Sequence, residues 1–179
     1  MLQNYNITKV MEVFFKEPSK EHYLIELSRK TNIAHTSVKN FLNQLKKEGI
    51  ILERKEKKGN RLFPMFYASI NSLEYRKQKI IWNYIQILES GIIQYLKENL
   101  FPKSIILFGS YSRGEDVEDS DIDIYLECKK GDIKLEKFEK FLGRKIEIHF
   151  NNNFNDYPKE LKNNIINGKI LDGYLEAYK

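Results

Sequence analysis

Residues 106 to 126 read ILFGSYSRGEDVEDSDIDIYL: an apolar run, a Gly-Ser step, ten further residues, then Asp121-Ile122-Asp123 inside a second apolar run. SIILFGS predicts a short buried strand, because four to eight β-branched and aliphatic residues bounded by a glycine are too few for a helix. Gly109-Ser110 closes that strand, and Tyr111 to Gly114 begin a helix or a tight turn. Free backbone N–H groups at such a corner, a serine hydroxyl and the missing Cβ of Gly109 leave a place where phosphate can approach. DSDIDIYLEC predicts the next strand. Side chains alternate across a strand, so Asp121 and Asp123 share one face while Ile122 and Ile124 point the other way into a core. Two carboxylates about 7 Å apart along a strand repel each other unless a cation sits between them. Hard divalent cations such as Mg²⁺ take carboxylate oxygens, so the pair is better explained by a metal than by structure.

Downstream, GDIKLEKFEKFLGRK predicts an amphipathic helix through Ile133, Leu135, Phe138, Phe141 and Leu142. KIEIHF predicts a further strand, with Glu147 flanked by Ile146 and Ile148. Three carboxylates on adjacent strands form one cluster, able to hold two cations about 3.5–4 Å apart for an in-line displacement at phosphorus. His149 falls on the strand face of Glu147, where it either contacts a nucleotide or acceptor or serves as a structural histidine.

These residues make the second half, over roughly residues 85–179, resemble the DNA polymerase β-type nucleotidyltransferase superfamily, and in particular its minimal nucleotidyltransferases. The family pattern is apolar-Gly-Ser, about ten residues, then Asp-apolar-Asp; GSYSRGEDVEDSDID has ten residues between Ser110 and Asp121. GSYSRG matches the Gly-Ser-x-x-Arg-Gly start of the minimal group, LGRKIEIHF stands where the third acid is carried, and LKNNIINGKILDGY resembles the closing helix and short strand. The resemblance implies Mg²⁺-dependent transfer of a nucleoside monophosphate from a nucleoside triphosphate to an acceptor, releasing pyrophosphate. By position it assigns Gly109 and Ser110 to the triphosphate, with Arg113 assisting. It assigns Asp121 and Asp123 to two Mg²⁺ ions, and Glu147 to the ion nearer the acceptor. The third acid is Glu rather than the commoner Asp, one methylene longer. Plainer roles exist for some of these residues: Gly109 as a turn former, Arg113 as a surface charge paired with Glu115 or Asp116, and Asp119 as a cap.

The first half reads differently. Residues 1–80 hold 16 Lys and Arg against 8 Asp and Glu, whereas residues 81–179 hold 14 against 17. A basic half beside a mildly acidic one suggests two domains and a polyanion partner for the first. ITKVMEVFFKEP predicts a helix through Ile7, Val10, Val13 and Phe14, ended by Pro18. Leu24 and Leu27 mark a short second helix, and TNIAH a turn. Thr36 is placed to cap a third helix with a buried stripe of Val38, Phe41, Leu42 and Leu45, and Gly49 ends it. ILERKEKKGNRLFPMFYASI predicts two strands around a Gly-Asn turn.

Over roughly residues 5–70 this pattern resembles the winged helix-turn-helix domains of small transcription regulators. The resemblance implies that the third helix enters the DNA major groove, with His35, Thr36, Ser37, Lys39, Asn40 and Asn43 facing DNA. Arg54, Lys55, Lys57, Lys58 and Arg61 would meet phosphates. A winged helix can also serve as a protein-binding module, with RKEKKGNR no more than a solvated hairpin tip.

Residues 72–98 carry Ile80, Ile81, Tyr84, Ile85, Leu88, Ile92, Tyr95 and Leu96 at helical spacing. They predict one long linker helix, capped by Ser72 and bent at Gly91, with a face open to homodimer formation. The expected architecture is α+β: a winged helix-turn-helix domain over 1–71, the linker helix over 72–98, and over 99–179 a polymerase β-like fold with a mixed sheet flanked by helices. Cys128 stands alone, so no intramolecular disulfide forms, and it reads as a small buried hydrophobe. No apolar run approaches the ~20 residues a spanning helix needs, and no secretory leader pattern opens the sequence. A cytoplasmic protein without a membrane partner is expected. Three functions fit: a nucleotidyltransferase acting on a protein hydroxyl or a small molecule, a nucleotide-sensing transcription regulator, or the antitoxin of a toxin-like protein partner.

Overall fold

Ile7, Val10 and Phe14 recur at helical spacing, and all three are buried along α1 (Tyr5–Lys16) of the computed structural model, which describes residues 5–151 and 154–176. A three-residue strand, β1 (Glu21–Tyr23), follows, then α2 (Leu24–Thr31) and α3 (His35–Lys47). The turn between these helices is built by Asn32, left-handed at φ 55°, and by the Ser28 hydroxyl, which donates to the Ile33 carbonyl at 2.5 Å. Asparagine tolerates that conformation better than most residues. The N-cap of α3 is Ala34, with no side-chain cap bond, so Thr36 lies in the first turn and does not cap the helix. Val38, Leu42 and Leu45 are buried as expected, and Gly49 stops the helix at φ +71°.

The wing is a hairpin of β2 (Ile51–Lys58) and β3 (Arg61–Ala68) closed by Gly59 and Asn60. β1 adds a third strand, giving the order β1-β3-β2. Pro64 sits inside β3, yet β1 pairs only with Met65 to Tyr67, so the proline falls where β3 has no neighbour on that side. The chain divides into two compact units, residues 1–79 and 80–179.

Helix α4 (Leu73–Ser90) starts where the Ser72 hydroxyl accepts from the Tyr75 N–H at 3.4 Å. It is not one long helix to residue 98. Gly91, at φ +73°, breaks it, and α5 (Ile92–Leu100) begins anew. A left-handed residue cannot continue a right-handed helix, and glycine takes that conformation without a Cβ clash.

The second unit is built on a four-stranded mixed sheet of order β6-β5-β4-β7. Its members are β4 (Ser104–Phe108), β5 (Ile122–Glu127), β6 (Ile146–Asn151) and β7 (Lys169–Gly173). β4 runs antiparallel to β5 and β7, while β5 and β6 are parallel, joined through α7 (Glu136–Leu142). α7 is shorter than expected: Ile133 and Leu135 precede it, although both still pack on the core, and Phe141 is exposed. Alternation gives both sheet faces an apolar cover. Ile105, Leu107, Ile122, Ile124, Leu126 and Ile146 form one core with Ile92 and Leu96 of α5 and Phe138 of α7. Ile106, Phe108 and Tyr125 form the other, with Phe154 and with Ile165 of α8 (Lys159–Ile166). Cys128 packs at the margin of the first core, partly buried. Among the described residues no helix is long and apolar enough to cross a membrane.

Candidate active site and nucleic-acid interface

β4 ends at Phe108, and the chain turns through Gly109 into the one-turn α6 (Gly109–Arg113). Gly109 has φ +73°, and a Cβ there would lie 3.0 Å from Cγ of Asp123 and closer still to its Oδ2. Only glycine fits on both counts. Asp123 is the register partner of Phe108 on one side and of Glu147 on the other. It thus stands on the central strand with the Gly-Ser corner and the third acid as immediate neighbours.

Strand parity decides what meets what. Ile122 and Ile124 turn into the first core, so Asp123 shares the opposite face with Phe108 and Tyr125. On β6, His149 points its Nε2 at Asp123 Oδ1, 3.3 Å away, and at Glu147 Oε1, 3.8 Å away. The His149 ring packs edge-on against Phe108 with centroids 5.0 Å apart. One donor atom from each of Asp123, Glu147 and His149 lies within 4.8 Å of the others. Among the described residues, no lysine or arginine forms an ion pair with Asp123 or Glu147. Two carboxylates and an imidazole gathered in this way fit a divalent cation.

Asp121 is placed otherwise. β5 begins at Ile122, so Asp121 precedes the strand, is exposed, and is not part of that three-residue group. It lines a polar hollow of about 620 Å³ with Asp119, Ser120, Glu139, Arg144 and Lys145. Ser110 is half-buried on α6. Arg113 points outward and donates to Glu115 Oε2 at 2.8 Å.

A buried polar network beneath the corner had no signal in the sequence. Asn83 of α4 donates to the Tyr111 carbonyl and to Asp116 Oδ1, both at 2.7 Å, and Arg144 reaches Asp116 Oδ2 at 3.3 Å. Asp116 is 2% exposed and Asn83 1%. The network ties the loop between α6 and β5 to α4 and to the turn before β6. Tyr111 is enclosed beside it, and burial, reinforced by the Asp116 charge, pushes its phenol far above the ordinary tyrosine range.

In the first unit, His35, Thr36, Lys39, Asn40 and Asn43 are exposed along α3 and Ser37 is half-buried, so these residues share the face opposite the buried stripe. Lys55, Lys57, Lys58 and Arg61 are exposed on the wing. Lys58 lies 3.3 Å from Glu56 and over the Tyr23 ring. Arg54 forms a two-pronged pair with Glu21, its Nε 2.6 Å from Oε1, and so is already engaged within the domain.

Comparison with known proteins gives matches for both parts of the chain. Residues 90–173 match the family described as polymerase beta, nucleotidyltransferase, and residues 5–60 match the MCM protein C-terminal winged helix-turn-helix domain. Residues 90–173 therefore carry a polymerase β-type nucleotidyltransferase domain, and residues 5–60 a winged helix. A 61-residue stretch is 43% identical to a Methanocaldococcus jannaschii protein named as a candidate protein adenylyltransferase, covering 30% of this chain and 61% of that one. A 44-residue stretch is 54% identical to a second protein of the same organism and the same description, covering 25% and 51%. The matched stretches thus span between one half and two thirds of these curated relatives. A solved structure, a possible transcriptional regulator from Methanosarcina mazei Go1, aligns over 53% of this chain and 78% of its own at 19% identity, with a TM-score of 0.38.

Proposed function

We propose that the C-terminal domain transfers a nucleoside monophosphate from a nucleoside triphosphate to an acceptor hydroxyl, releasing pyrophosphate. The observation that carries the reading is the seat of Asp123, pressed against Gly109 and in register with Glu147. Gly109 and Ser110 would receive the triphosphate at the open corner, with Arg113 turning from Glu115 to assist. Asp123 and Glu147 would hold divalent cations, Mg²⁺ in the simplest case and two in number, with Asp121 completing the set from the edge of the strand. Bound there, the cations would neutralise charge on the phosphates and lower the pKa of the attacking hydroxyl. The protein's own contribution is placement: a fixed carboxylate, a corner without a Cβ, and a sheet buried on both faces beneath them.

A protein hydroxyl is the acceptor we favour, with ATP as donor, because both curated relatives are named for protein adenylylation. A small-molecule acceptor is the competing outcome. Incubation with α-labelled ATP and Mg²⁺ should transfer label to protein and release pyrophosphate; absence of turnover with all four nucleotides overturns the reading.

For the winged helix we propose DNA binding, with the exposed polar face of α3 in the major groove and Lys55, Lys57, Lys58 and Arg61 on phosphates. The role we assign to Arg54 is lesser, since Glu21 already neutralises it. α4 offers Ile81, Tyr84, Ile85 and Leu88 as exposed apolar side chains, a surface suited to a homodimer or to a toxin-like partner. Sedimentation of the purified chain tests the first: a dimer supports it and a monomer overturns it. A nucleotide-sensing regulator or antitoxin without catalysis is the alternative, and it predicts nucleotide-dependent DNA binding that survives Asp123→Asn.

A further inference from the structure

We infer that His149 is a metal ligand, and that the cation position it shares with Asp123 and Glu147 prefers a first-row transition ion such as Mn²⁺ over Mg²⁺. The inference rests on the nucleotidyltransferase reading and concerns which ion that site selects.

His149 Nε2 makes a long hydrogen bond to Asp123 Oδ1 at 3.3 Å, beyond the ~2.7–2.9 Å usual for a charge-assisted bond, and stands 3.8 Å from Glu147 Oε1, too far for one. The spacing of the three groups suits a shared ion. Two donors each about 2.1 Å from a shared ion are about 3.0–3.4 Å apart at octahedral or tetrahedral angles. The Asp123 distance falls in that interval and the Glu147 distance a few tenths of an ångström beyond it. The imidazole is also held in place: its ring leans on Phe108, and its side chain is 20% exposed against 60% for Glu147. Asp123 divides its two oxygens, Oδ2 toward Gly109 and Oδ1 toward His149, so one carboxylate serves both the corner and the histidine.

The donor set sets the preference. Mg²⁺ takes oxygen ligands and water and gains little from an imidazole nitrogen, whereas transition ions accept nitrogen readily. A site of two carboxylates and one imidazole therefore binds Mn²⁺ more tightly than Mg²⁺, by a margin that the histidine supplies.

The test uses the full chain with metal alone, no nucleotide being present to offer a second nitrogen. Electron spin-echo spectra of bound Mn²⁺ should show coupling to an imidazole ¹⁴N, and the coupling should vanish in His149→Gln. Titration should show Mn²⁺ affinity falling at least about tenfold in that variant with Mg²⁺ affinity changed by less than about twofold. Circular dichroism confirms that His149→Gln is folded, and His149→Ala serves in its place if it is not. Mn²⁺ bound without nitrogen coupling, but released by Asp123→Asn, overturns the role of His149 and leaves the nucleotidyltransferase reading standing. Failure of the wild-type chain to bind Mn²⁺ without nucleotide also overturns the inference, while the transfer assay decides the nucleotidyltransferase reading separately.

Discussion

The carboxylate of Asp123 occupies the space that a side chain on Gly109 would fill. The Gly109-Ser110 corner and Asp123 are therefore one packed unit, and a change at one displaces the other. Gly109→Ala must both adopt φ +73° and push Asp123 aside. The left-handed conformation alone costs about 1–2 kcal/mol, so the variant should melt at a lower temperature. Because Asp123 is displaced, nucleotidyl transfer should fall far more than stability does. Differential scanning calorimetry beside a pyrophosphate-release assay checks both halves.

The Asn83–Asp116–Arg144 network predicts a structural phenotype. Asp116→Ala leaves the Arg144 guanidinium, whose side chain is 7% exposed, without its counter-charge. Breaking a buried pair by removing one partner costs about 3–5 kcal/mol. The unfolding free energy from urea titration should fall by that amount, with a correspondingly lower midpoint. Asp116→Asn keeps a hydrogen-bond acceptor for Asn83 and should lose less.

In the winged helix, Glu17 and Glu26 flank Lys30, and His22 lies buried between them. Partial burial raises both carboxyls, but the hydrogen bonds from Lys30, with Lys20 for Glu17 and His22 for Glu26, outweigh it. The net shift is below the ordinary 4.5. A depressed carboxyl contributes stability that is present above its unfolded pKa and is lost as pH falls through the folded value. Lys30 is shifted upward by the same glutamates, so its share is complete below about 10.5 and is lost only as pH rises through the folded value. The domain should therefore lose stability as pH drops below about 4.5, a loss shallower in Lys30→Met. Thermal melts between pH 3 and pH 6 measure the difference.

Much of this organisation was legible in the sequence. Gly109-Ser110, the strands on either side, the three helices of the first unit and its hairpin all rest on local signals: periodicity, a turn glycine, alternation. Gly91 marked a bend in the sequence but not a full break, because the apolar period of residues 80–96 runs on through it and only the left-handed φ of Gly91 shows that the helix restarts. β1 is three residues long, too short for an alternation signal, and exists through its pairing with β3. Asp121 and Asp123 are equivalent by spacing; they part because β5 starts between them. Asp116 and Arg144 meet across 28 residues of sequence, a distance over which no periodicity speaks. Alternation alone puts His149 on the face of Glu147, but its approach to Asp123 depends on the parallel register of β5 and β6.

Neutralising phosphates makes DNA affinity fall with salt, so the wing has a quantitative signature. Replacing Lys55, Lys57 and Arg61 together by Ala should weaken binding at all sequences and reduce the salt slope by about 0.9 for each phosphate no longer neutralised. Arg54→Ala should change the slope less, since Glu21 already holds that guanidinium. Fluorescence anisotropy from low to moderate salt reads both.

The central claim is that Asp123 anchors a nucleotidyl-transfer site. Its most direct test is transfer of label from α-labelled ATP, with Mg²⁺ or Mn²⁺, by the wild-type chain and by Asp123→Asn matched for folding by circular dichroism. The account predicts labelled acceptor and released pyrophosphate with the wild type, and a loss of at least about a thousandfold with the variant. Undiminished transfer by Asp123→Asn would contradict it.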